Sequence, residues 1–199
     1  EQWESGVKYQ SSDNKHNLTV SVFELTKEND LTRDPSGSPY DQIQTGEVRS
    51  RGIELELETQ PHENLSILFN ATRIDMEVTK DNNGLKGKTP IWVADRTASV
   101  WVDYGFQEEV MSGANVGVGI RYVGKTELDA LNTDEVPAFT LVDLALSYDL
   151  GAVTKSLQGI STRLTANNLF DKRYASCYDG NNCWFGAERT LEASLKWEY

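Results

Sequence analysis

Hydrophobic and polar residues alternate with a period of two along most of this chain, while helical periodicity is almost absent. The segment Thr190 to Tyr199 shows it most plainly. Leu191, Ala193, Leu195, Trp197 and Tyr199 share one face, and Glu192, Ser194, Lys196 and Glu198 share the other. Val142, Leu144, Leu146 and Tyr148 oppose Asp143, Ala145, Ser147 and Asp149 in the same way, and Ile53, Leu55 and Leu57 alternate with Glu54, Glu56 and Glu58. Such segments predict an all-β chain of about nine strands, near 3–10, 17–28, 43–59, 64–79, 96–104, 115–124, 138–149, 160–170 and 187–199.

The connections fall into two alternating sets. Gln60–Asn64, Gly105–Ala114 and Gly151–Gly159 form one; Asn29–Ile43, Lys80–Asp95, Lys125–Pro137 and Asp171–Ala187 form a longer one. An antiparallel meander with short turns at one end and long loops at the other is the pattern of outer-membrane β-barrels, whose periplasmic turns are short. A soluble sandwich or lipocalin-like barrel would also alternate, but 43–59 and 64–79 are long for soluble strands.

Composition changes the picture little. With 38% hydrophobic and 25% charged residues the chain looks ordinary. Its longest stretch free of Asp, Glu, Lys, Arg and His, Val110 to Ile120, is far short of the roughly 20 apolar residues of a membrane helix. Barrel strands need only about 9–11 residues with alternate side chains apolar, so that test does not touch them. A net charge of −12 would repel a phosphate backbone, and nucleic acid is not an expected partner. Glu1 follows no leader pattern, and an odd strand number does not suit a bacterial single-chain barrel, so an excised piece lacking earlier strands is expected.

Candidate chemistry is sparse. No nucleophile–base motif, zinc-protease motif or phosphate loop occurs, His16 and His62 read as surface residues, and no enzymatic activity, metal site or cofactor is expected. Cys177 and Cys183 flank an Asp/Gly/Asn-rich loop and can close a small disulfide ring on an oxidising side of the membrane, with two free thiols the alternative. Tyr9, Trp101, Tyr104, Tyr122, Tyr148, Trp197 and Tyr199 lie near strand ends and suit interfacial aromatic girdles. The Glu54–Glu56–Glu58 ladder reads as a lumen face. Arg49 and Arg51 would share the face of Ile53 unless a bulge near Gly52 shifts them.

The run Asn167-Asn168-Leu169-Phe170-Asp171-Lys172-Arg173-Tyr174, followed by a strand ending in the aromatic Tyr199, resembles the C-terminal signature of TonB-dependent outer-membrane receptors. Gly46-Glu47-Val48-Arg49-Ser50-Arg51-Gly52-Ile53-Glu54-Leu55-Glu56, Gly87-Lys88-Thr89-Pro90, Arg121-Tyr122-Val123-Gly124, Val136-Pro137-Ala138-Phe139-Thr140-Leu141-Val142-Asp143 and Ala175-Ser176-Cys177-Tyr178 agree in order. The pattern is most similar to ferric hydroxamate receptors of the ferrichrome and ferrioxamine kind.

The resemblance implies that 1–199 is the C-terminal part of a 22-stranded barrel whose plug and earlier strands are absent from this chain. It implies a multi-pass protein of a Gram-negative outer membrane, importing a ferric siderophore with energy from TonB acting through the plug; iron would arrive already chelated. Outer-membrane lipid and the barrel-assembly machinery are the other expected partners, and open strand edges would favour self-association. Capture of an amphipathic chelate calls for aromatic contacts, for which Tyr40, Trp92, Tyr178, Trp184 and Phe185 on the long loops are the candidates. A soluble adhesive β-domain and a passive porin are the alternatives.

Overall fold

A computed structural model describes residues 1–199 except 35, 37, 39, 108–110 and 199, so Tyr199 lies outside the described residues. The strands are β1 (Gln2–Gln10), β2 (His16–Arg33), β3 (Gln42–His62), β4 (Leu65–Lys80), β5 (Arg96–Gly105), β6 (Ala114–Val123), β7 (Thr126–Glu127), β8 (Glu135–Val136), β9 (Phe139–Asp149), β10 (Ile160–Asn167), β11 (Ala175–Asp179), β12 (Asn182–Phe185) and β13 (Thr190–Trp197). Nine of them form one antiparallel sheet in the order β1-β2-β3-β4-β5-β6-β9-β10-β13, and β7–β8 and β11–β12 are small hairpins within two of the long connections. No helix among the described residues is long and apolar enough to cross a membrane.

The all-β meander is as expected, but several boundaries move. β2 continues to Arg33, well into the expected 29–43 loop, while β3 begins at Gln42, one residue before its expected start. Asn29, at φ 60°, absorbs a register shift between Glu28 and Asp30, and pairing then resumes. β10 stops at Asn167 rather than 170 because Asn168 (φ 53°) and Asp171 (φ 52°) turn the chain through left-handed conformations. The last strand starts at Thr190 rather than 187.

Residues directly opposed across a ladder share a face, so the registers carry each face through the whole sheet. One row reads Val20, Leu55, Ala71, Ala98, Tyr122 and Thr140; another reads Tyr104, Val116, Leu146, Leu164 and Ala193. Among the described residues no second layer covers this apolar face, and Val7, Leu195 and Trp197 are 72%, 69% and 69% exposed. The opposite face carries Glu54, Glu56, Glu58, Asn70, Ser99, Asp103, Arg121 and Asp143.

Toward the long-loop end the polarity inverts. On the face of Ile53, the next positions are Arg51 and Arg49 in β3, Arg73, Asp75 and Glu77 in β4, and Glu24 and Thr26 in β2. On the face of Glu54 they are Ser50 and Val48, Ile74, Met76 and Val78, and Phe23 and Leu25. No bulge produces this, because pairing is continuous through Gly52 with Phe23 on one side and Ile74 on the other. Arg49 and Arg51 therefore do share the face of Ile53, where Arg49 Nη2 meets Glu77 at 3.1 Å and Arg51 holds Asp75 Oδ2 through Nε at 2.9 Å and Nη2 at 2.7 Å. Gly52 is required for a different reason: a Cβ there would collide with the backbone carbonyl oxygen of Arg73 and lie 2.8 Å from Cζ of Phe23.

Among the girdle candidates, Tyr9, Tyr104, Tyr122, Tyr148 and Trp197 lie on the apolar face. Trp101 does not. It opposes Leu68 and Gly119 on the other face, and its ring fills the space that side chains at Gly117 and Gly119 would occupy.

Candidate ligand-binding loops

The family signature forms the junction between the sheet and the long loops. Asn168 is buried; its Nδ2 donates to Lys172 O at 3.0 Å and Ala187 O at 3.1 Å, and its Oδ1 accepts from Lys172 N at 2.8 Å. Its own N–H donates to Asp143 Oδ1 at 2.8 Å, while Arg121 grips the same carboxylate through Nε at 2.6 Å and Nη2 at 3.0 Å. Leu169 N donates to Val142 O, and Asp171 Oδ1 accepts from Arg189 N at 2.9 Å. The backbone N–H groups of Asn168, Leu169 and Lys172 thus find partners as the strand ends, as burial demands. Phe170 is 73% exposed and takes no part in this network. Tyr174 stacks on Phe139 with centroids 4.2 Å apart and lies over Gly186, where no side chain would fit.

Above this junction stands the β11–β12 hairpin, closed by the Cys177–Cys183 disulfide across directly opposed positions. Asp179 shapes its tip, accepting from Asn181 N, Asn182 N and Asn182 Nδ2. The Asn182 side chain first, then the Asn181 N–H, hold the Asp179 carboxyl below its usual range; neighbouring Asp129 pushes the other way. The 124–138 connection lies beside the hairpin tip, where a Cβ on Gly180 would meet Leu128 Cδ2 at 3.9 Å.

Other ties join the long connections into one canopy. Asn132 exchanges two hydrogen bonds with Thr89, accepting from its N–H at 2.8 Å and donating to its carbonyl at 2.9 Å. Asp81 accepts from Thr32 Oγ1 at 2.7 Å, Asn83 N at 2.5 Å and Leu85 N at 2.9 Å, fastening the 81–95 connection to the end of β2.

The five aromatic candidates divide. Trp92 and Tyr178 come together, with ring centroids 6.0 Å apart, so the 81–95 connection meets the hairpin. Trp92 also adopts φ 66°, a left-handed conformation costly for a bulky side chain, which the surrounding contacts must hold. Phe185, 83% exposed, lines a cavity of about 240 Å³ with Phe139, Tyr174, Lys172 and Arg173. Trp184 is exposed on the hairpin. Tyr40, 92% exposed, makes no ring contact with the other four among the described residues. Sequence reading missed Phe139 and Asn132 as organisers; the only local signal for Asn132 is its preference for the left-handed conformation it adopts, φ 53°. No group of three or more metal-ligating side chains occurs among the described residues.

Comparisons with known proteins agree with this geometry. The family model "TonB dependent receptor-like, beta-barrel" matches residues 1–169. The ferrioxamine B receptor of Salmonella typhimurium is 35% identical over the whole chain, which covers 28% of that protein. The ferrichrome outer membrane transporter/phage receptor of Escherichia coli is 38% identical, again over the whole chain, which covers 26% of it. The chain therefore spans about a quarter of the length of these relatives. Among solved structures, the siderophore receptor PiuA of Acinetobacter baumannii superposes with a TM-score of 0.82 at 27% identity, over 100% of this chain and 28% of that one.

Proposed function

This chain belongs to the TonB-dependent receptor family of outer-membrane β-barrels, and from that premise we propose that it is part of the wall and outer canopy of a receptor that captures and imports ferric hydroxamate siderophores. The observation that carries this reading is the similarity along the entire chain to a ferrioxamine B receptor and a ferrichrome transporter. The whole protein then contains further strands pairing with β1 and β13, the sheet's two edges, and a plug through which TonB delivers energy. The apolar face lies against the lipid of a Gram-negative outer membrane, and the Glu54–Glu58 face lines the lumen.

Ligand capture falls to the canopy, where Trp92, Tyr178, Trp184 and Phe185 offer amphipathic surface with Tyr40 at its margin. Such a chelate is largely apolar outside, so ring faces supply contact area and the polar groups of the loops orient it. Iron is cargo, already chelated. A soluble adhesive domain is disfavoured by the uncovered apolar face, which water would not tolerate over such an extent.

The test is tryptophan fluorescence of the complete purified receptor titrated with ferrichrome and ferrioxamine B. Saturable quenching is expected, weakened about tenfold or more when Trp92 and Tyr178 are both replaced by Ala, since two ring contacts to the chelate are lost. A folded receptor that neither chelate quenches contradicts the proposal.

A further inference from the structure

Arg73 in β4 and Arg96 in β5 stand directly opposite each other on the apolar face, in the row Val22–Ile53–Arg73–Arg96. Like charges directly opposed across a ladder destabilise it. The neighbouring row does not show this conflict, because there Arg51 closes on Asp75. Arg96 shares only its Nε with Asp95, at 3.1 Å, and Arg73 has no carboxylate partner among the described residues. Both side chains are exposed.

One row toward the short-turn end, Ala71 and Ala98 stand side by side between Leu55 and Tyr122 on the same face, so two small side chains are flanked by two larger ones. On the flank opposite Arg96, Arg73 borders a depression of about 310 Å³ whose wall combines Trp3, Val22 and Ile53 with the charged Glu24, Arg51 and Asp75. The arginines sit where the apolar face gives way to charged positions, at the level of a lipid headgroup.

We propose that Arg73 and Arg96 form a binding site for a phosphorylated lipid of the outer leaflet. Its phosphate bridges the two guanidinium groups and one acyl chain lies over Ala71 and Ala98. Guanidinium groups suit this task because they remain charged and bond phosphate bidentately. The bridging anion also removes the repulsion that the bare pair leaves. This site rests on reading the apolar face as lipid-facing.

The experiment uses the complete receptor purified in mild detergent, with lipid A bearing its phosphates, dephosphorylated lipid A and inorganic phosphate as probes, and bound lipid counted by native mass spectrometry. The expected result is retention of the phosphorylated lipid, weakened about tenfold or more in the R73Q/R96Q double variant and partly restored in R73K/R96K, with weak binding of the other two probes. Equal retention by wild type and R73Q/R96Q, or equal retention of the dephosphorylated lipid, overturns the site. Oxygen accessibility of a nitroxide at Ala71 in bilayers separates the two possible failures. A lipid-exposed label with no Arg dependence sinks the site alone, and a water-exposed label sinks the lipid-facing reading beneath it.

Discussion

Asn168 combines φ 53° with a side chain that satisfies Lys172 N, Lys172 O and Ala187 O, so removing it unties the turn from both flanking segments. The N168A variant should lose about 1–3 kcal/mol, because buried backbone groups are left without partners. The loss is read as a lower temperature for the folded-to-unfolded shift in gel mobility, and an unchanged temperature would contradict the role assigned to it. Asp81 offers a pH-dependent counterpart. Burial is the strongest single influence and raises its pKa, but hydrogen bonds from Leu85 N, Thr32 Oγ1 and Asn83 N together hold it below the usual carboxylate range. A depressed pKa contributes stability that is fully present above the unfolded value of about 3.9 and is lost as pH falls through the folded value. Hydrogen exchange at the Leu85 and Asn83 amides, corrected for intrinsic rates, should therefore stay slow at neutral pH and accelerate only below about pH 4, whereas D81N should show no such step. The signature run was legible in the sequence as a run of letters. Its role was not, because the partners of Asn168 and Asp171 reside in Asp143, Ala187 and Arg189, and no local rule links those positions.

At the scale of the element, alternation alone assigned the two faces, since a period of two survives any error in strand ends. It also held the information that Trp101 faces away from the girdle, because Ser99 and Asp103 flank it at the same parity. Proximity to a strand end was the weaker signal. Alternation faded where β2 and β3 pass beyond the apolar band, since there the outward positions meet water and the inward ones carry Phe23, Leu25, Val48, Ile74 and Met76. A rule that looks for apolar residues on one constant face ended β2 too early, at 28 rather than Arg33, although the start of β3 and the end of β4 fell within a residue of where it put them. From Leu65 to Arg73, β4 presents roughly 27 Å of strand at about 3.4 Å per residue, which a tilt near 40° reduces to about 21 Å, close to the height of a barrel's apolar band. Nitroxides placed singly along β4 should report oxygen contact at Ile67, Phe69 and Ala71 and aqueous contact at Asp75 and Glu77. Oxygen contact persisting through Glu77 would move the membrane boundary away from the arginine row.

Across the whole molecule, one sheet separates a continuous apolar face from a polar one, and its long connections gather into a canopy tied by the Thr89–Asn132 and Trp92–Tyr178 contacts and built around the disulfide-closed hairpin. The sheet's meander was readable from connection lengths, whereas the canopy was not, because it depends on contacts between segments far apart in the chain. The proposed function divides along the same line: in it the apolar face would hold the protein in the bilayer, and the canopy would present aromatic surface to what arrives from outside. Uptake of radioiron from ferrichrome and ferrioxamine B, by cells lacking the gene and by the same cells carrying the complete gene, is the most direct test. The account predicts saturable uptake that the gene restores and that collapses when TonB is removed; undiminished uptake of both chelates without the gene would contradict it.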